Sequence, residues 1–171
     1  MKHPVSGDRI ANVVFVVCCL VLVGVAASRY WAPPGRQARA REDFLKPGSP
    51  DPFGVAVSSD HRPLACIFIS STCPVCGDSL PFYKRLAERV AATGGRAALV
   101  FVATEPSDTV SAYLRTGGIG DAVVASVARP SGIPGSPSIV LLNRFRRVER
   151  SWAGRLSRRQ ESEIETLISR E

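Results

Sequence analysis

Cys73 and Cys76, spaced as Cys73-Pro74-Val75-Cys76, are the side chains of this sequence best placed to do chemistry together. A dithiol at that spacing can open and close a disulfide, and it can also supply half of a zinc site. A closed zinc site needs further ligands, and beyond the N-terminal segment only Cys66 and His61 remain. There is no second C-x-x-C, and Cys66 stands inside an apolar run, where a small buried hydrophobe is its natural role. The redox reading therefore leads. Two alternatives stay open: a redoxin-type peroxidase, and a non-catalytic copper or zinc chaperone using Cys73, Cys76 and His61. A resolving cysteine within the same turn favours the dithiol over the peroxidase.

The flanking residues say how the pair is held. Leu64-Ala65-Cys66-Ile67-Phe68-Ile69-Ser70 has the length and apolar content of a buried strand. After the motif, Leu80, Tyr83, Leu86, Ala87, Val90 and Ala91 recur at helical spacing, with Lys84, Arg85, Glu88 and Arg89 opposite. The cysteines therefore fall where a strand ends and a helix begins. The first turn of a helix carries unsatisfied N–H groups and partial positive charge, which favours a thiolate at Cys73 and predicts a depressed pKa. Pro74 suits an early helical position, whereas Pro81 should bend the helix.

A second informative stretch is Ser131-Gly132-Ile133-Pro134-Gly135-Ser136-Pro137-Ser138, running into the apolar Ile139-Val140-Leu141-Leu142. Between the two stretches, Thr93-Gly94-Gly95 stops the first helix and residues 96–103 form a strand parallel to the first. Ser107 is the expected N-cap of a helix with Val110, Tyr113 and Leu114 inward. Residues 122–125 form a short strand. Asn143-Arg144-Phe145-Arg146 turns the chain back into a strand over residues 147–152. Ser157 and Gln160 form a capping box opening a last helix with Ile164, Leu167 and Ile168 inward.

Strand, C-x-x-C, helix, a proline at position 81, a loop ending in Pro137 and the Trp152–Gly154 pattern together resemble the thioredoxin superfamily over residues 53–171. With the N-terminal apolar segment, the chain resembles the membrane-tethered, TlpA-like thiol–disulfide oxidoreductases. The Ser-Thr-Cys-Pro-Val-Cys run also resembles the accessory protein of methylamine dehydrogenase maturation. The resemblance implies an α/β thioredoxin fold, a central mixed sheet flanked by helices. It implies Cys73 as nucleophile, Cys76 as resolving thiol and a cis Ser136–Pro137 bond facing them. Thr72, Pro74, Val75 and the Ser136 backbone would then line the substrate contact, in the manner of an added strand. No cofactor is implied beyond the Cys73–Cys76 disulfide, and no metal. Partners would be protein thiols and disulfides and a membrane redox protein.

The sequence also departs from the family. Thr72 stands where many members carry tryptophan, and the strand before the motif lacks the buried acid of thioredoxin itself. Glu105, at a strand end, is the best remaining carboxylate for proton transfer, and Ser71 and Thr72 are candidates to hydrogen-bond the Cys73 thiolate.

The chain has 171 residues, enough for one ordinary domain and an appendage. Its 45% hydrophobic and 22% charged residues suit a folded protein, and the net charge of +7 is scattered. Arginines cluster after Asn143 without interleaved aromatics or a nucleic-acid motif, so they read as a solvated face and not a nucleic-acid site. Residues 1–9 form a polar tail, 10–28 an uncharged apolar segment, 29–52 an Arg/Pro/Gly-rich linker and 53–171 the domain. A short strand is expected around Val55-Ala56-Val57, with Phe44 and Leu45 beginning to pack. Residues 10–28 read as a transmembrane anchor or a signal peptide, and the length of the run favours the anchor. Tyr30 and Trp31 follow at interface depth. Arginines on the C-terminal side would by charge counting place the domain in the cytoplasm. The N-terminal layout and the disulfide chemistry argue instead for a single-pass bacterial inner-membrane protein with its domain in the periplasm.

Overall fold

The computed structural model describes residues 16–21, 41–54, 62–128 and 130–170. The expected strand at 55–57, His61, most of the apolar segment and residues 29–40 lie outside the described residues. Residues 16–21 are helical, and among the described residues no helix is long and apolar enough to cross a membrane. The chain divides into two compact units, Met1–Gln37 and Ala38–Glu171.

The second unit carries strands β1 (Arg41–Glu42), β2 (Leu64–Phe68), β3 (Ala98–Ala103), β4 (Val123–Ser126), β5 (Ser138–Leu142) and β6 (Val148–Ala153). Its helices are α1 (Pro74–Ala92), α2 (Ser107–Thr116) and α3 (Arg158–Ser169). The strands make one six-stranded mixed sheet in the order β1-β6-β5-β2-β3-β4. β2, β3 and β4 run parallel, through helical crossovers; β5 is antiparallel to both β2 and β6.

Strand side chains alternate between faces, and here both faces are covered. Ala65, Ile67, Phe101, Ile139 and Leu141 join Phe82, Tyr83 and Leu86 of α1, Val110 and Leu114 of α2 and Ile164 and Ile168 of α3. Leu64, Cys66, Val100, Val102, Val140 and Leu142 face the other way, under Phe53, with Phe44, Leu45 and Ile133 packed alongside. That two-sided burial explains why β2, β3 and β5 are continuous apolar runs. Trp152, fully buried, fills the helix face; a side chain of that size contributes about 1.5–3 kcal/mol by leaving water.

The linker ends earlier than its composition suggests. Arg41 and Glu42 pair with Ala153 and Trp152, Pro50 bridges to Arg147, and Phe53 is buried. The β6 edge presents unpaired backbone groups, and these residues satisfy them. Elsewhere the differences are local. α1 buries Phe82, which helical spacing left out, and exposes Ala91, which it included. Pro81 lies within α1, which continues to Ala92. Ser107 is the first helical residue of α2 and not its cap; Pro106 takes the cap position, with no side-chain hydrogen bond. β3 begins at Ala98, because Arg96 is exposed and its guanidinium donates to the Thr93 carbonyl. The capping box of α3 is present in full.

Candidate active site

Cys73 is the N-cap of α1. Its backbone is extended at φ −84° and ψ 114°, and its sulfur accepts a hydrogen bond from the Cys76 N–H at 3.4 Å. A sulfur thus stands where an aspartate or serine side chain usually caps a helix. Pro74 takes the first helical turn. The first turn holds no acidic residue, so nothing on α1 competes there for the helix's partial positive charge.

The two sulfurs have opposite environments. Burial pushes the half-buried Cys73 thiol up, but hydrogen bonds from Cys76, Ser136 and the Val75 backbone outweigh it, and its pKa falls below the ordinary thiol value. Cys76 is fully buried, and burial pushes its thiol up to about 12. The pair is therefore polarised: Cys73 is the half-exposed, thiolate-forming sulfur and Cys76 the protected one. Both are free thiols.

The loop before β5 closes over Cys73. The Ser136–Pro137 peptide bond is cis. The Ser136 carbonyl lies 3.4 Å from the Cys73 sulfur and accepts its S–H. Two further contacts hold this loop. The Gly154 N–H donates to the Pro137 carbonyl at 2.8 Å, from a backbone at φ 94° that favours glycine. The buried Ser138 hydroxyl donates to the Gly135 carbonyl at 2.6 Å. Beside the loop, Phe68, Ile69, Thr104, Ile133, Gly135 and Ser136 line a groove of about 270 Å³ that opens next to the sulfur's partner.

Behind the motif, the Glu105 carboxylate binds the loop that enters it. It accepts from the Ser71 N–H at 3.0 Å and from the Ser71 hydroxyl. Burial pushes the Glu105 carboxyl up, but hydrogen bonds from Ser70 and Ser71 together outweigh it and hold it below the usual carboxylate value. Ser71 and Thr72 were expected to reach the Cys73 thiolate. Instead the Ser71 hydroxyl is committed to Glu105, and the Thr72 hydroxyl pairs with Ser70 at 3.0 Å. Thr72 and Pro74 are exposed and Val75 half-buried around Cys73, the Val75 carbonyl accepting from the Ser79 hydroxyl. Arg155 pairs with Asp78, joining the start of α1 to the segment after β6.

Cys66, on the far face of the sheet, is fully buried, and desolvation pushes its thiol up strongly. Among the described residues no group of His, Cys, Asp and Glu is arranged to hold a metal ion; His61 lies outside them. The role of Ser138 was not legible from the sequence. The pattern of tryptophan then glycine pointed at Gly154, without saying that its N–H would hold Pro137.

No protein-family model matches the chain, and no curated protein matches it in sequence. Solved structures match its fold. A thioredoxin-family thiol:disulfide interchange protein of Chlorobium tepidum is 20% identical, with a TM-score of 0.54 over 73% of this chain and 98% of that one. A structure from the same organism, described as the interchange protein DsbE, is 18% identical with a TM-score of 0.57, over 73% of this chain and 98% of that one. A secreted thiol-disulfide isomerase of Corynebacterium glutamicum is 11% identical with a TM-score of 0.51, over 66% of this chain and 73% of that one. At these identities what is shared is the fold, a thioredoxin-like α/β fold with a mixed sheet.

Proposed function

We propose that the chain is a thiol–disulfide oxidoreductase that exchanges electrons with protein thiols and disulfides through Cys73 and Cys76. The observation that carries this reading is the polarised pair: a half-exposed helix-capping sulfur with lowered pKa, one turn before a fully buried one, beneath a cis-proline loop. In the reducing direction the Cys73 thiolate attacks a substrate disulfide, and one substrate sulfur leaves with the electron pair. The Cys76 sulfur then attacks Cys73. The mixed disulfide breaks, the second substrate sulfur leaves as a thiol, and the Cys73–Cys76 disulfide remains. The oxidising direction is the reverse. No cofactor is required, because the two sulfurs carry both electrons.

Ser136, Thr72, Pro74 and Val75 surround Cys73 and form the surface a substrate segment would meet. An extended segment lying along Ser136 would also reach the groove between Phe68 and Ile133. Glu105, whose carboxylate binds Ser71 beside the motif, is our candidate to relay to solvent the proton released during exchange.

The uncharged run at 10–28 supports an N-terminal anchor, with the domain on the periplasmic side of a bacterial inner membrane. The secreted Corynebacterium neighbour fits that side of the membrane. A membrane redox protein would then reset the dithiol.

A redox titration of the full chain in glutathione or dithiothreitol buffers tests the proposal. A two-electron transition that vanishes in Cys73→Ser is expected. A potential near about −270 mV would mark a reductant and one near about −120 mV an oxidant. Absence of any transition, or rapid hydrogen peroxide consumption without dithiol turnover, would overturn the reading. Trapping with Cys76→Ser would capture the substrate as a stable mixed disulfide.

A further inference from the structure

The resolving step poses a problem. Cys76 must attack as a thiolate, yet it is fully buried with its thiol pushed up to about 12, burial being the main cause. Something must favour its ionised form at the moment Cys73 is tied to substrate. Hydrogen bonds from the Ser70 backbone and from Ser136 favour that form but do not offset burial. The Cys73 sulfur, which accepts from the Cys76 backbone, cannot do so, and no hydroxyl of Ser70, Ser71 or Thr72 is free to turn inward.

Among the described residues, Tyr113 of α2 offers an unused polar group nearby. Its hydroxyl is enclosed and has no hydrogen-bond partner among the described residues. It lies against α1 at Gly77, the residue after Cys76: a methyl group built on Gly77 would sit 3.7 Å from it. A buried hydroxyl without a partner is costly, and native structures rarely keep one without a reason.

We infer that the Tyr113 hydroxyl serves the resolving half of the exchange, donating a hydrogen bond to the Cys76 thiolate, directly or through one water, once Cys73 is held in the mixed disulfide. This rests on the proposed dithiol chemistry. Tyr113 keeps its own proton throughout. Burial raises its pKa to about 12, with the negative charges of Cys76 and Cys73 adding to the effect, so it is a donor at neutral pH. The other groups facing the pair are Asp78 and Tyr83 of α1 and Glu105 from the loop after β3. In the step assisted, the Cys76 sulfur bonds to the Cys73 sulfur. The bond from Cys73 to substrate breaks, the substrate sulfur takes the electron pair, and the Cys76 proton passes to solvent.

The test is Tyr113→Phe in the full chain, with Cys18→Ala and Cys19→Ala in parent and variant alike to remove the other exposed thiols, reacted in its reduced form with dithiobis(nitrobenzoate). The first coloured thiolate reports attack by Cys73 and the second reports resolution by Cys76. Loss of a hydrogen bond to a charged group should slow the second phase about tenfold at neutral pH and move its pH midpoint up by about one unit. The first phase should be unchanged, and the reduced variant should be at least as stable as the parent, because the hydroxyl it loses had no partner. Equal slowing of both phases, an unmoved second midpoint, or a destabilised variant would each overturn the inference and leave the oxidoreductase reading standing. A parent chain that releases no second thiolate would overturn both.

Discussion

Cys66 and Cys73 belong to the same strand–loop–helix run, and the fold gives them opposite chemistry. Cys66 lies within β2 with its sulfur on the face covered by Phe53 and the residues around Phe44, and desolvation holds it protonated. Cys73 lies just past the end of β2, where the chain must turn before α1, and backbone N–H groups meet its sulfur. Composition does not separate the two, nor does distance along the chain. What differs is the company of the sulfur: apolar side chains in one case, unpaired helix N–H groups and a carbonyl in the other. A reactive cysteine is made by where a strand stops.

The sharpest way to break this contrast is Cys73→Ser, which should lower dithiol exchange to the uncatalysed rate, as read by disulfide reduction in a coupled assay. Retention of substantial exchange would mean that Cys76 or Cys66 is the nucleophile. Alkylation against pH is next. Cys73 should react with a midpoint below the ordinary thiol value of about 8.5, Cys76 only at far higher pH, and Cys66 only when the chain unfolds. Because the Cys73 pKa is lower folded than unfolded, the stability it lends the reduced protein is present above about pH 8.5 and fades as pH falls through its folded value. Mass spectrometry of the labelled peptides checks each site.

Two smaller effects refine the comparison. Gly154→Ala places a side chain at φ 94° and disturbs the N–H that holds Pro137. It should cost about 1–2 kcal/mol in denaturant unfolding and slow exchange together. Cys66→Ala should cost a similar or smaller amount, about 1–2 kcal/mol, with exchange unchanged, since it only leaves a small void in the sheet. Smallest is the acid response of the loop before Cys73. The Glu105 pKa is lower folded than unfolded, so its anchoring of Ser71 is complete above about pH 4.3 and loosens as pH falls through the folded value. The Ser71 amide resonance should titrate there, and in Glu105→Gln it should not.

The local features of the site were legible because they depend on neighbours in the chain. An apolar strand, a helix-capping cysteine with proline behind it, and a capping box at Ser157 each declare themselves within a few residues. The inward face of α1 was legible only in part. Its apolar stripe is broad, and only packing against β3 and α3 decided that Phe82 is buried and Ala91 is not. Composition misled at residues 41–52: polarity and proline suggested a tether, yet a sheet edge needs backbone partners whatever side chains they carry.

By itself the sequence determined that a dithiol sits at a strand-to-helix junction, because propensity, spacing and capping act over a few residues. The tertiary structure alone decided which groups surround that dithiol. Ser71 finds Glu105, Pro137 finds Gly154, and the Tyr113 hydroxyl comes to rest against Gly77, each brought together from distant parts of the chain. Such pairings follow from sheet register and helix packing, and no local pattern encodes them.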